Sequence, residues 1–246
     1  MDRRNLPSCL VLLLLVTPAR AGEAATFTYP AKSAPPMPGP PSIPIQYVPP
    51  ALRPGVQSVL ERPSLTSRAG CEQFNCVPAM YCHLLGHPEQ AVKLWRLVGA
   101  KVADIEEMGK GTYRYTDGQG SDVRWHAVPC GPGLHLWYAE GKAKAARLLP
   151  AASFKAVLVM QYQSGRDEDG AIAVKHQVHF VLRAESRAVA LATKILGSSA
   201  PRLLEQYLGG LQTFYAGLSW YLSNDDARAR GLFRQIGAAY PFDPAR

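Results

Sequence analysis

The segment "AIAVKHQVHFVLR", residues 171–183, contains the histidine that most invites a chemical role. Its apolar and polar residues alternate, as in a half-buried strand. His176 breaks this alternation because it falls on the apolar parity, between Val174 and Val178. There it could bind a hydroxyl or carbonyl group of a ligand inside a cavity. It could equally be a core residue with a tyrosine or backbone partner, and the residues alone leave both interpretations open.

Enzymatic interpretations need a second group near this histidine. His176 and His179 are three residues apart on one strand, so they point to opposite faces and cannot hold one metal together. A cyclase-like enzyme could use His176 with Asp104 as a general acid–base pair. His126 and His135 lie on neighbouring predicted strands and could meet across them. No pattern fixes any of these distances, so the sequence favours a non-catalytic role and predicts no catalytic residue, metal or cofactor.

Cysteines offer the other reactive side chains. If the N-terminal leader is removed, four remain, and an even number in an exported chain predicts one or two disulfides with three pairings open. The candidates are Cys71, Cys76, Cys82 and Cys130. Zinc is the alternative, because Cys82 is followed closely by His83 and His87, but this spacing matches no common zinc signature.

The first residues have the pattern of a secretory signal peptide. Arg3 and Arg4 precede the apolar run "CLVLLLLV", and Ala19-Arg20-Ala21 has the small-x-small form of a cleavage site. The run is far shorter than the roughly 20 residues that span a bilayer. We therefore predict residues 1–21 as a signal peptide cleaved near Ala21, and a secreted or periplasmic protein without a transmembrane segment.

The charge of the chain argues against a nucleic-acid partner. The formal net charge is +8, and it falls to +6 without residues 1–21, which hold three arginines and one aspartate. The remaining basic residues are spread along the chain, whereas nucleic-acid binding needs a basic stripe on one face. This leaves a small molecule, a lipid or a protein as the expected partner.

Composition divides the rest of the chain into three parts. Residues 22–55 hold ten of the 21 prolines, so we predict an extended and disordered proline-rich linker without regular helix or sheet. Residues 56–222 are long enough for one domain with its own core. Residues 223–246 are predicted to be a C-terminal helical extension.

Within the domain, the pattern changes from helix to sheet and back to helix. The run "VQSVLERPSLTSR", residues 56–68, is predicted to be extended, and "CVPAMYCHLLGHPEQAVKLWRLVG" to form two short helices. Six short β segments with turn signals between them follow, which indicates an antiparallel sheet with one buried and one wet face. The apolar stripe from Leu204 to Leu222 predicts one long helix.

This order of elements, with "CVPAMYCHLLGHPEQAVKLW" after the first strand, resembles the helix-grip fold of the START-like (SRPBCC) superfamily. The resemblance implies an α+β fold in which a curved antiparallel sheet of about seven strands wraps around a long C-terminal helix. It also implies an apolar ligand between sheet and helix. The residues then expected to line that cavity are Tyr113, Tyr115, Trp125, Met160, His176, Val178, Phe180, Leu211 and Tyr215.

Three classes of function follow. The first is an exported binding protein that holds a lipid or other apolar small molecule in this cavity. The second is a non-catalytic protein-interaction module with a filled core, for which "AGLSWYLSNDDARARGLFRQIGAAYP" resembles a single tetratricopeptide unit. The third is the cyclase-like enzyme. An open cavity favours the first class, and a filled core favours the second.

Overall fold

The computed structural model describes residues 29–37, 42–117, 120–144, 151–184 and 200–242. Its helices are α1 (Arg53–Glu61), α2 (Pro78–Gly86), α3 (Pro88–Leu97), α4 (Ala200–Ser223) and α5 (Asp226–Gln235), with a 3-10 turn at Ile45–Tyr47. Its strands are β1 (Ala31–Ser33), β2 (Leu65–Arg68), β3 (Glu72–Asn75), β4 (Glu106–Gly109), β5 (Thr112–Thr116), β6 (Asp122–Pro129), β7 (Leu134–Lys144), β8 (Ala151–Arg166) and β9 (Ile172–Ala184).

The strands described form one open antiparallel sheet. Their order is β1-β3-β9-β8-β7-β6-β5-β4, and β2 pairs with β9 next to β3. Six strands follow the helix pair α2–α3 as a continuous meander, as the turn signals indicated. The predicted α+β architecture is confirmed. The sheet has nine strands rather than about seven because its first segment is split into β2 and β3, and because β1 is added at the edge.

Both faces of the sheet centre are covered by helices. We call the face that carries Val174 and Val178 of β9 the front face, and it packs against α2, α3 and α4. The back face carries Val157 and Val159 of β8 and packs against α1. The prediction that one face of the sheet is exposed to water is therefore wrong at the centre of the sheet, because α1 covers the back face there.

Helix α4 binds the front face through the predicted apolar stripe. Its buried residues are Leu204, Leu208, Leu211, Phe214, Tyr215, Leu218 and Leu222. Two hydrogen bonds also join α4 to the elements around it. Gln212 donates from Nε2 to the backbone oxygen of Gly70 at 3.1 Å, and Trp95 Nε1 donates to the backbone oxygen of Phe214 at 2.9 Å. The segment "SRAVALATKILG" before this helix lies outside the described residues.

Helix α1 corrects the prediction of an extended segment over residues 56–68. The helix covers Arg53–Glu61 and only Leu65–Arg68 are a strand. Pro54 lies in the first turn, where a missing N–H costs nothing, and Pro63 disfavours helix at the residue before it. Val56 and Val59 are fully buried on one side of α1. Val56 and Val59 are three residues apart, which is helical spacing, but the short apolar stretches of this segment were interpreted as a strand.

Parts of the predicted proline-rich linker belong to the folded domain. Ala31–Ser33 pairs with β3, Met37 and Val48 are buried, and the Met37 N–H donates to Oε1 of Gln177 at 3.3 Å. The linker prediction is therefore wrong for residues 29–37 and 42–55. Proline removes donors only at its own positions, and the residues between prolines keep donors and apolar side chains that can pack.

The C-terminal extension is also part of the main core. Asp225 caps α5 by accepting a hydrogen bond from the Arg228 N–H at 2.9 Å. Ala229 and Phe233 are fully buried against the same cluster as α3 and α4. The face that resembled a tetratricopeptide unit is therefore covered within its own domain.

The four cysteines of the domain are free thiols in the structure, so the predicted disulfides are absent among the described residues. Cys71, Cys76 and Cys130 are buried at separate places in the sheet and its turns, whereas Cys82 is exposed on α2. In the part of the chain that is described, no helix is long and apolar enough to cross a membrane. The predicted signal peptide lies outside that part.

Substitution of Gly141 tests the tight approach of β6 and β7. A Cβ atom at this position would collide with the backbone oxygen of Asp122 and lie 2.8 Å from Cα of Val123. We expect Gly141→Ala to lower the free energy of unfolding by about 2–4 kcal/mol, because backbone atoms cannot move aside cheaply. Urea unfolding followed by circular dichroism measures the change.

Gly165→Ala on β8 is the matched control, since a Cβ atom there meets nothing within 4 Å. We expect this variant to change the free energy of unfolding by less than about 1 kcal/mol. Equal destabilisation by both substitutions would contradict the described approach of β6 and β7.

Candidate functional site

His176 is a core residue with a tyrosine partner. Its side chain is 0% exposed, and Nδ1 lies 2.7 Å from the hydroxyl oxygen of Tyr81 on α2. Its Nε2 lies 3.5 Å from Oε2 of Glu72, which also accepts a hydrogen bond from the Tyr29 hydroxyl at 2.6 Å. The structure thus gives Nδ1 of this buried histidine a tyrosine partner, whereas Nε2 has no hydrogen-bond partner among the described residues and only the Glu72 carboxylate nearby.

Burial decides the charge of His176. Removal from water lowers the pKa of His176, and the nearby Glu72 carboxylate opposes this without reversing it. Burial raises the pKa of Glu72, but hydrogen bonds from His176 and Tyr29 outweigh it, so the pKa of this carboxyl is lowered. His176 is therefore a neutral imidazole beside the Glu72 carboxylate, and this carboxylate accepts a hydrogen bond from the Tyr29 hydroxyl.

Most residues predicted to line a cavity are buried in the core. Trp125, Met160, Val178, Phe180, Leu211 and Tyr215 are between 0% and 5% exposed and belong to one cluster with His176. Aromatic rings pack between the sheet and α4, where Trp137 stacks on Tyr215 with ring centroids 5.8 Å apart. Tyr115 is half-buried beside this cluster. These residues are packed between the sheet and α4, and their role as cavity lining stays a prediction.

The pairs considered for enzyme chemistry also lie apart. Asp104 binds Arg96 at 2.8 Å and is 70% exposed, so it cannot serve His176 in the core. His126 lies opposite Tyr138 and its Nδ1 is 3.0 Å from Oγ1 of Thr112. His135 lies opposite Met160, whose side chain is on the front face. The two histidines are therefore on different faces of the sheet.

One cleft of about 440 Å³ opens at the end of the front face, between the C-terminal end of α2 and strands β5 to β8. We call it the end cleft. Of the predicted cavity residues it includes Tyr113 alone. Its lining is formed by Cys82, Gly86, His87, Glu107, Gly111, Tyr113, Ala127, Pro129, Gly131, Leu134, His135 and Tyr162.

Two local features of the chain create the end cleft. Helix α2 stops at Gly86 because Pro88 starts α3, and the turn between them leaves space above the sheet. The β6–β7 hairpin carries Gly131 and Gly133 with φ of +93° and +78°. At Gly133 a Cβ atom would lie 2.7 Å from the backbone oxygen of Tyr162, so only glycine lets β8 approach this turn.

His135 is the buried polar group of the end cleft. Its side chain is 5% exposed, and among the described residues Nε2 has no hydrogen-bond partner. Burial, with a smaller effect from the charge of His87, lowers the pKa of His135 to about 3. The ring packs against Trp137 with centroids 4.4 Å apart. The cleft thus contains a neutral imidazole whose nitrogen is free to bind an oxygen atom of a ligand.

The mouth of the end cleft is more polar than its interior. His87 Nδ1 lies 3.4 Å from Oε1 of the buried Glu89, and the Tyr113 hydroxyl donates to the backbone oxygen of Gly86 at 3.5 Å. The contact with Glu89 raises the pKa of His87 against the opposing effect of burial. The mouth therefore carries His87, whose pKa is raised by Glu89, whereas the interior carries His135, whose imidazole is neutral.

Cys82 and Tyr162 form the side of the cleft next to α2. The Cys82 thiol is exposed and is hydrogen-bonded to the Tyr162 hydroxyl. Burial and this hydrogen bond raise the pKa of Tyr162. The sequence pointed to Cys82 as a disulfide candidate and gave no reason to group it with His135 or Tyr162. In "LHLWY" both parities are apolar or aromatic, so alternation could not assign His135 to a face.

Comparisons with known proteins do not assign a family. No family model matches the sequence, and no curated protein matches it significantly. Among solved structures, a conserved protein from Geobacillus kaustophilus is similar over 62% of this chain and 95% of its own, with 14% identity and a TM-score of 0.40. An uncharacterised protein from Rhizobium leguminosarum (63% and 96%, 14% identity, TM-score 0.35) and the Mll3558 protein from Rhizobium loti (62% and 96%, 14% identity, TM-score 0.37) are similar too.

The neutral state of His135 predicts a pH dependence of stability. Its pKa is about 3 in the folded protein and about 6.5 when unfolded, so its contribution is fully present above pH 6.5 and is lost as pH falls. We expect wild type to lose about 1.4 kcal/mol per pH unit relative to His135→Gln between pH 6 and pH 4. Urea unfolding of both proteins at several pH values measures this difference.

His87→Gln is the control with the opposite sign. Because the pKa of His87 is raised, its stabilising contribution is present at low pH and is lost as pH rises through the folded-state pKa. The variant should therefore lose stability relative to wild type at acidic pH. If the free energy of unfolding changes with pH in the same way in wild type and in His135→Gln, then His135 is not buried in its neutral form.

Removal of the Tyr81 hydroxyl tests the bond at the centre of the core. Tyr81→Phe leaves Nδ1 of the fully buried His176 without its partner at 2.7 Å. We expect a loss of about 1–3 kcal/mol in the free energy of unfolding, measured by urea denaturation. Tyr115→Phe, at a half-buried position, should change it by less than about 0.5 kcal/mol. An unchanged free energy of unfolding in Tyr81→Phe would contradict this role of the hydroxyl.

Proposed function

We propose that the protein binds a small molecule in the end cleft, with an apolar body against its walls and an oxygen atom at His135. The observation that carries this proposal is the buried and unpartnered Nε2 of His135 in an otherwise mainly apolar cleft. A buried polar atom without a partner costs about 1–3 kcal/mol, so a ligand that supplies the missing hydrogen bond gains this energy on binding.

The interior of the cleft favours an uncharged hydrogen-bonding group. With a pKa of about 3, His135 stays neutral at physiological pH and binds a hydroxyl or carbonyl oxygen without a charge to balance. Nε2 donates in one tautomer and accepts in the other, so either kind of oxygen fits. Tyr113, Ala127 and Leu134 supply the apolar and aromatic surface around it.

The size of the cleft refines the class of ligand. A volume of about 440 Å³ lies at the lower end of the usual range for small-molecule sites, about 300–1,000 Å³. This suits a compound of one or two rings better than a lipid with two acyl chains. The resemblance of the element order to the START-like superfamily supports a binding protein of this kind, with its ligand displaced from α4 towards α2.

Binding of a named probe locates the site. We expect wild type to bind 2-naphthol, a two-ring compound with one hydroxyl, and Ala127→Phe to abolish binding by filling the cleft from β6. His135→Phe should weaken binding about tenfold, as the loss of one hydrogen bond in a water-excluded site predicts. Titration followed by naphthol fluorescence measures both.

Leu211→Ala is the matched control, because it opens space between the sheet and α4 without touching the end cleft. It should leave the affinity for 2-naphthol within about threefold. Binding that Leu211→Ala changes and Ala127→Phe does not would move the ligand to the space beside α4. If wild type neither binds the probe nor carries extra mass in native mass spectrometry, a protein-interaction module with a filled core replaces this proposal.

A further inference from the structure

The end cleft brings together a thiol and an oxygen-binding group. Cys82 on α2 and His135 on β7 line the same space of about 440 Å³. Of the four cysteines described, Cys82 alone is exposed. The unpartnered Nε2 of His135 offers a hydrogen-bonding position for an oxygen atom in a cleft that Cys82 also lines.

We propose that Cys82 is a covalent attachment site for α,β-unsaturated carbonyl compounds held in the end cleft. The carbonyl oxygen of such a compound accepts a hydrogen bond from Nε2 of His135, which draws electrons from the conjugated double bond. The β-carbon of that bond is then electron-poor and open to a nucleophile. This inference rests on the proposed function, because it uses the same cleft and the same role of His135.

The reaction is a balanced addition. The Cys82 sulfur gives an electron pair to the β-carbon and forms a C–S bond, while the π electrons of the C=C bond move towards the carbonyl oxygen. The proton released by the thiol is finally taken up by the α-carbon, so no group leaves and no oxidant or reductant is consumed. The hydroxyl of Tyr162, hydrogen-bonded to the sulfur, stabilises the thiolate during the attack.

The other cysteines serve as internal controls. Burial raises the pKa of Cys71 and Cys76, and it raises the pKa of Cys130 to about 11. Their thiols therefore stay protonated and inaccessible in the folded protein. Cys130 is a strict control because its neighbour Gly131 lines the cleft, while its own Sγ points to the backbone oxygen of Val128 at 3.4 Å.

The test compares two reagents on the folded protein. Cyclohex-2-enone carries the proposed carbonyl, whereas iodoacetamide reports thiol reactivity in general. Intact mass and peptide mapping should show one enone per chain, on Cys82, and none in Cys82→Ser. We expect the ratio of the enone rate to the iodoacetamide rate to exceed that of an unstructured Tyr-Cys-His peptide at least tenfold.

Two further measurements assign the effect to the cleft. Cyclohexanone, which lacks the double bond, should slow enone addition to wild type by competition. His135→Phe, checked for folding by circular dichroism, should lower the ratio of the two rates about tenfold. A ratio equal to that of the peptide, or addition at another cysteine, would overturn the proposal.

The outcome is separable from the test of the proposed function. Wild-type protein that binds 2-naphthol but adds cyclohex-2-enone no faster than the peptide keeps its role as a binding protein and loses this covalent site. Protein that fails in both measurements loses both proposals.

Discussion

The hydrogen bond between His176 and Tyr81 is the constraint on which the site depends. It joins the centre of β9 to α2 inside a core from which water is excluded, over a sequence separation of 95 residues. Because a lost partner for either group would leave a polar atom buried, α2 is held on the front face in one position. Cys82 follows Tyr81 directly, and Gly86 ends the helix, so the same bond places one wall of the end cleft.

The polar chain continues from this bond to the N-terminal segment. Glu72 lies directly opposite His176 in the ladder between β3 and β9, and it accepts from Tyr29. Two effects compete at this pair: the carboxylate favours a charged imidazole, and burial favours a neutral one. Burial wins, as the lowered pKa of His176 shows. Tyr29 is thereby held by its hydrogen bond to Glu72, and β1 by its pairing with β3.

Packing determines where a ligand has room. Between the sheet and α4, aromatic rings such as Trp137 and Tyr215 pack against each other, and their burial stabilises the fold. At the end of the sheet the chain turns through Gly86, Gly131 and Gly133, which add no side chains to the space. An open cleft with one unsatisfied histidine remains there. The packed centre of the front face and the site of the proposed binding therefore lie in different parts of that face.

The sequence by itself determined the local patterns: the meander of six strands, the helix pair and the apolar stripe of α4, because these depend on the period of neighbouring residues. It also identified His176 as a buried polar residue. Only the tertiary structure decided that Tyr81 is its partner, that α1 covers the back face and that most residues of the expected cavity are buried in one cluster. It also placed His135 with Cys82. Such contacts join residues far apart in the chain, and their distances follow from side-chain volumes and helix placement, which no local period encodes.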